Sequence, residues 1–168
     1  MNWLSRMRPR GPIFTSRSST IPEGLWKKCP KCNIPLYRPE LEKNLDVCPK
    51  CGHHMRIGAR RRIDIFLDAG ARNEIGINIE TIDRLKFKDV KRYKDRIVDA
   101  QKVTGEKDAL IAMEGKLNNI NVVVCAFEFA FHGGSMGAAV GEKFTLAANT
   151  ALKKSLPLIC FTATGGAR

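Results

Sequence analysis

The sequence predicts an α/β protein in which a four-cysteine zinc ribbon precedes a second, larger α/β domain. Three observations carry this. Cys29-Pro-Lys-Cys32 and Cys48-Pro-Lys-Cys51 are separated by fifteen residues, the spacing of a tetrahedral thiolate site. Beyond them the apolar runs read strand, strand, helix, strand. Two of those strands run into glycine-rich segments, His132-Gly133-Gly134-Ser135 and Thr164-Gly165-Gly166-Ala167-Arg168, at the strand ends where α/β folds place ligand sites.

The chain of 168 residues carries 29 basic and 17 acidic side chains, and the excess is local. Up to Arg62 there are 14 basic and 4 acidic residues, a net of +10; the remainder is nearly balanced. A hydrophobic content of 43% with 14 Gly and 8 Pro excludes a collagenous, coiled-coil or wholly disordered chain. The most apolar run, Ile120 to Phe131, is interrupted by Asn121 and Glu128 and is too short for a bilayer, so no membrane partner is expected. Residues 1–24 read as a basic arm with Arg6, Arg8, Arg10 and Arg17. Their composition would suit a transit peptide, but Pro9, Gly11, Pro12 and Pro22 prevent an amphipathic helix, and Trp3-Leu4 does not extend into a secretory core.

Residues 25–58 form the ribbon. Two residues between the cysteines of each pair let a tight turn aim both sulfurs at one point, and Gly52 follows where such a turn wants a positive φ. A short strand pair is expected between the knuckles. Four thiolates fill the coordination sphere and leave no position for water, so Cys29, Cys32, Cys48 and Cys51 predict one structural Zn2+ rather than a catalytic one. Two disulfides are the alternative, disfavoured in a reducing compartment. His53 and His54 read as surface residues. Lys27, Lys28, Lys31, Lys50, Arg56 and Arg60-Arg61-Arg62 make an anion-facing surface.

Residues 59–168 form the second domain. Arg60 to Ala69 predicts an amphipathic helix with Ile63, Phe66 and Leu67 inward, Asp64 and Asp68 outward, and Gly70 as its stop. Asn73 to Leu85 shows no clean period. Tyr93 to Val103 predicts a helix that buries Tyr93, Ile97, Ala100 and Val103. The mixed charges before and along it read as a solvated face. Ala109 to Leu117 and Ile120 to Phe129 read as strands joined by Asn118-Asn119, a pair suited to left-handed conformations, with Cys125 as a small buried hydrophobe. A helix follows over Ala138 to Lys154, with Val140, Phe144, Ala147, Ala148, Ala151 and Leu152 on one face, and then a strand over Leu156 to Phe161.

The glycine segments match neither a phosphate loop nor a dinucleotide fingerprint. Bare backbone N–H groups after a strand can approach a developing negative oxygen, and no Ser-His-Asp or Cys-His set accompanies them. The expected chemistry is stabilisation of an enolate or oxyanion.

Ile21-Pro-Glu-Gly-Leu-Trp-Lys-Lys-Cys, Val47-Cys-Pro-Lys-Cys-Gly-His-His-Met, Thr104-Gly-Glu-Lys-Asp-Ala, Phe127-Glu-Phe-Ala-Phe-His-Gly-Gly-Ser-Met-Gly and Pro157-Leu-Ile-Cys-Phe-Thr-Ala-Thr-Gly-Gly-Ala-Arg closely resemble the carboxyltransferase β subunit of bacterial-type acetyl-CoA carboxylase. The resemblance implies a four-Cys zinc ribbon followed by the first part of a crotonase-like ββα superhelix. It implies transfer of CO2 from carboxybiotin, held on a separate carrier protein, to acetyl-CoA, giving malonyl-CoA for fatty acid biosynthesis.

The implied partners are the carboxyltransferase α subunit, the biotin carboxyl carrier protein and an ATP-using biotin carboxylase, in a cytoplasmic heterohexameric complex with two α and two β subunits. By the same resemblance Gly165 and Gly166 are the catalytic oxyanion glycines, and Gly133, Gly134, Ser135 and Arg168 contact substrate. The family's chain continues past Arg168 through further ββα turns. A fragment, an interrupted gene or half of a split subunit, inactive alone and with an exposed apolar edge strand, is therefore expected. The rival expectation is a nucleic-acid-binding zinc ribbon, motivated by the local +10.

Overall fold

The computed structural model describes residues 24–168, so the predicted basic arm, apart from its last residue, lies outside the described residues. The chain divides into two compact units between His54 and Met55.

In the first unit, β1 (Trp26–Lys28) pairs antiparallel with β2 (Pro35–Tyr37), and the one-turn helix α1 (Arg38–Lys43) follows directly. The expected strand pair between the knuckles is therefore displaced. Its first strand precedes Cys29, and the intervening fifteen residues hold one strand and a helix. Pro39 allows the early turn of α1, where a missing N–H costs nothing. The apolar filling is small, Leu36 and Leu41 beside the cysteines.

The second unit is a four-stranded sheet between helices. Its strands are β3 (Asn73–Ile75), β4 (Leu110–Leu117), β5 (Ile120–Phe127) and β6 (Leu158–Phe161), side by side in that order. The first three are antiparallel neighbours, whereas β6 pairs parallel to β5 after the crossover through α4 (Ala138–Lys154).

The period of two is strict in the centre. Leu110, Ala112, Val123 and Cys125 face a core completed by Ile97 and Ala100 of α3 (Tyr93–Thr104) and by Val140, Ala147 and Ala151 of α4. Ile111, Met113, Val122, Val124 and Ala126 face the other way, onto Ala59 and Ile63 of α2 (Ala59–Phe66) and onto Leu67. Helices on both faces explain why β5 is apolar almost throughout. Burial pushes the Cys125 thiol up to about 12, consistent with a packing role.

The hairpin turn is as predicted, with Asn118 and Asn119 at φ 50° and 65°. Several other expectations are corrected. α2 stops at Phe66, before Gly70, where Leu67 turns extended. Val103 is 78% exposed. In α4 the buried face includes Lys143 in place of Phe144 and Leu152, which are 39% and 78% exposed. β6 has no second neighbour among the described residues, as the edge-strand expectation required.

Asp68, read as an outward residue, accepts hydrogen bonds from the N–H groups of Asn119 and Asn118 at 2.8 and 3.0 Å. These bonds hold its carboxyl below the ordinary value of 3.8. A depressed pKa adds stability that is present above the unfolded value and is lost as pH falls through the folded one. Asp68→Ala is expected to lower the Tm at pH 7 by a few degrees, roughly 2–5 °C. In melts at pH values below that lowered pKa, the difference from wild type should shrink.

Candidate functional site

The two cysteine knuckles are built alike. Asn33 N–H donates to Cys29 O at 2.9 Å and Gly52 N–H to Cys48 O at 2.9 Å, each four residues after the first cysteine of its pair. Both have positive φ, 57° at Asn33 and 67° at Gly52, so asparagine does in the first knuckle what glycine does in the second. The sequence reading anticipated Gly52 and missed Asn33.

The four sulfurs lie within 4.8 Å of one another, with Cys29–Cys51 at 3.6 Å and Cys32–Cys48 at 3.8 Å. A tetrahedron with Zn–S bonds of about 2.3 Å has edges of about 3.8 Å, so the donor set fits zinc. Desolvation opposes charge on Cys29, yet backbone hydrogen bonds at Cys32 and Lys31 outweigh it and hold the thiol at about 6. Desolvation and the neighbouring sulfurs push Cys51 up to about 12, a repulsion that a divalent cation removes. His53 and His54 are outside the cluster.

The second site is where the glycine segments meet. β5 and β6 are parallel neighbours, so the loops leaving their C-terminal ends emerge side by side. Gly165 N–H donates to Gly133 O at 2.9 Å, Met136 N–H to Gly166 O at 2.8 Å, and Arg168 N–H to Met136 O at 2.9 Å. The first loop is a tight turn over His132–Gly134 with His132, Gly133 and Gly134 all at positive φ. Gly134 has no room for a side chain, since a Cβ would stand 1.9 Å from Ala163 O.

Gly166 N–H donates to Thr164 Oγ1 at 3.0 Å, a local contact that a change of one side-chain rotamer releases, whereas Gly165 N–H is committed to the bond between the loops. Beside them α4 begins after Gly137 with no side-chain cap and no acidic residue in its first turn, leaving N–H groups directed outward. Gly137, Ala138 and Ala139 line a cleft of about 1090 Å³ together with His132, Ser135 and the segment Ile79–Leu85. The Arg168 side chain points inward. Its Nη2 lies 2.6 Å from Asp108 Oδ1 and its Nη1 3.4 Å from Ser135 Oγ.

Two further polar anchors were invisible in the sequence. Glu128 is buried and accepts from Ala59 N–H at 2.8 Å and Ala130 N–H at 3.0 Å, capping α2 from 69 positions away. Arg60, read as part of an anion-facing surface, is instead bound by Glu106 at 2.7 Å and Glu74 at 3.0 Å. Its hydrogen bonds to those carboxylates raise its pKa further. The mixed charges around α3 are indeed a solvated network, with Arg92–Asp95 at 2.8 Å and contacts Lys91–Asp99 and Arg96–Asp89.

Residues 26–51 match the acetyl-CoA carboxylase zinc finger domain family. Solved structures with a similar fold include the transcarboxylase 12S core with methylmalonyl-coenzyme A and methylmalonic acid bound, at 22% identity over 67% of this chain and 20% of that one, TM-score 0.52. The β subunit of geranyl-CoA carboxylase from P. aeruginosa matches at 20% identity over 78% of this chain and 20% of that one, TM-score 0.50. A single-chain, multi-domain long-chain acyl-CoA carboxylase matches at 22% identity over 66% of this chain and 11% of that one, TM-score 0.52. The chain thus spans a fifth or less of these relatives' lengths. Residues 26–51 thus form an acetyl-CoA carboxylase-type zinc ribbon, and the chain shares its fold with parts of these transcarboxylase and acyl-CoA carboxylase structures.

Proposed function

We propose that the chain supplies the acyl-CoA side of a biotin-dependent carboxyltransferase, with acetyl-CoA as acceptor and malonyl-CoA as product. The observation that supports it most directly is the junction of the two glycine loops, from which His132, Ser135 and Arg168 reach a cleft that the uncapped start of α4 also lines. Biotin, carried on a separate protein, would supply the CO2. The chain's own part is to bind the thioester and stabilise negative charge on its oxygen as the methyl group loses a proton. Preorganised N–H groups do this at little reorganisation cost.

Gly166 is the better placed of the two proposed oxyanion donors, because its present partner is the nearby Thr164 side chain and not the other loop. Gly165 acts by holding the first loop; Ser135 lines the cleft, and Gly133 and Gly134 make the tight turn that presents it. Arg168 serves the same site from beneath, since its guanidinium faces Asp108. The ribbon match names acetyl-CoA carboxylase, which favours acetyl-CoA over the larger acyl groups of the solved relatives. Partners of this reading are an α subunit, a biotin carrier and a biotin carboxylase, in the cytoplasm.

The purified chain, alone and with an α subunit, is to be given carboxybiotin carrier and a series of acyl-CoA thioesters. Malonyl-CoA formation that needs both chains, and falls at least about 100-fold from acetyl-CoA to branched or long acyl groups, is the expected result. Equal transfer to all thioesters overturns the substrate assignment, and transfer to none in the complete mixture overturns the reaction.

A further inference from the structure

Asp108 is fully buried, sits just before β4, and belongs to neither glycine loop. A buried carboxylate is costly unless each oxygen is satisfied, and here both are. Oδ1 accepts from Arg168 Nη2 at 2.6 Å and from Ala109 N–H at 2.7 Å. Oδ2 accepts from Arg168 Nη2 at 2.8 Å and from the Thr81 hydroxyl.

Through these partners one carboxylate reaches three walls of the cleft. Thr81 belongs to the segment between β3 and α3, Arg168 to the second glycine loop, and Arg168 in turn reaches Ser135 of the first loop. The guanidinium also lies 5.5 Å from the centre of the buried Phe131 ring, directly before the first loop. It is close enough to Gly137 that a Cβ there would meet Arg168 Nε at 2.7 Å. A cation at the start of α4 is unfavourable by itself, and the Asp108 charge offsets it.

We propose that Asp108 is a positioning residue: acting through Arg168, it holds the Gly165–Gly166 loop in register with the His132–Ser135 loop and so aims the backbone donors of the cleft. This rests on the carboxyltransferase reading for its catalytic consequence, and on geometry alone for the anchoring. Without the carboxylate the guanidinium loses its ionic partner, and the second loop keeps only its backbone bonds to the first. Those bonds are short-range and partly exposed, the kind that open locally.

Asp108→Asn keeps the shape and removes the charge. In amide hydrogen exchange on the intact chain, the N–H groups of Gly165, Met136 and Arg168 are expected to exchange at least about tenfold faster, while Val122 to Ala126 in β5 change by less than about twofold. Asp108→Glu, which keeps the charge, should recover most of the loop protection. If Asp108→Asn fails to fold, Arg168→Lys replaces it, with loosening confined to the same three amides.

Unchanged exchange at the loops, or an equal loss in β5, overturns the anchoring. In the complex with an α subunit, Asp108→Asn should lower kcat about 100-fold with KM within about threefold, the pattern of lost transition-state alignment. A rise in KM at constant kcat overturns the positioning role. Loosened loops in Asp108→Asn, together with a wild-type chain that carboxylates no thioester, would leave the anchoring standing and refute the carboxyltransferase reading instead.

Discussion

Gly134→Ala is expected to part the two glycine loops, whereas Gly133→Ala, one residue away, is expected to leave them joined. Both glycines have φ near the left-handed value, 68° and 66°, so each alanine carries the same backbone penalty of about 1–2 kcal/mol. Space separates them. A Cβ on Gly133 meets nothing within 4 Å, but a Cβ on Gly134 falls 1.9 Å from the carbonyl oxygen of Ala163, inside any permitted contact. Backbone cannot swing aside as a side-chain tip does, so the loops must move apart and break the Gly165–Gly133 and Met136–Gly166 bonds. A total cost of at least about 3 kcal/mol follows for Gly134→Ala. Urea unfolding of both variants reads this directly. Equal midpoints for the two would mean that the loops do not touch in solution.

Loss of zinc is the second large effect. A unit whose described core amounts to Leu36, Leu41 and the cysteines themselves cannot bury enough apolar surface to hold its fold, so metal bonds take the place of a core. The chain should bind one Zn2+, and Cys48→Ser should weaken it by more than about 100-fold, since even outer-shell losses reach that figure. In NMR spectra, chelation should collapse the resonances of residues 26–51 into the unfolded range while those of β4 and β5 keep their dispersion, because no metal cluster occurs among the described residues of the second unit. Zinc stoichiometry near zero, or an unchanged ribbon spectrum after chelation, would contradict a structural zinc.

The features legible in the sequence share one property: the groups that decide them are close together along the chain. Each knuckle closes within five residues, Asn118-Asn119 makes its own turn, and α4 runs from Ala138 to Lys154 between Gly137 and Ser155, as its apolar spacing predicted. The misread positions are those where a partner comes from elsewhere. Asp68 looked like a solvent-facing helix residue until the hairpin turn, fifty positions on, supplied the N–H groups it accepts. Phe144 looked buried, yet Lys143 is the one inside. Its amine donates to Leu110 O at 3.3 Å and feels Asp108, Glu74 and Glu106, while burial lowers its pKa.

By itself the sequence determined the metal site, the run of strand, strand, helix and strand from β4 to β6, and the presence of two glycine loops at strand ends, because thiolate spacing, hydrophobic period and backbone permissiveness are local properties; it missed α1 and β3. Only the tertiary structure decided what those loops do to each other. Parallel pairing of β5 with β6 carries Gly133 and Gly165 into hydrogen-bond contact across 32 positions, and the carboxylate of Asp108 draws Arg168 inward from a loop in which it looked free to meet substrate. Charge pairing and burial depend on which surfaces meet, and that is set by the packing of the sheet rather than by any stretch of sequence.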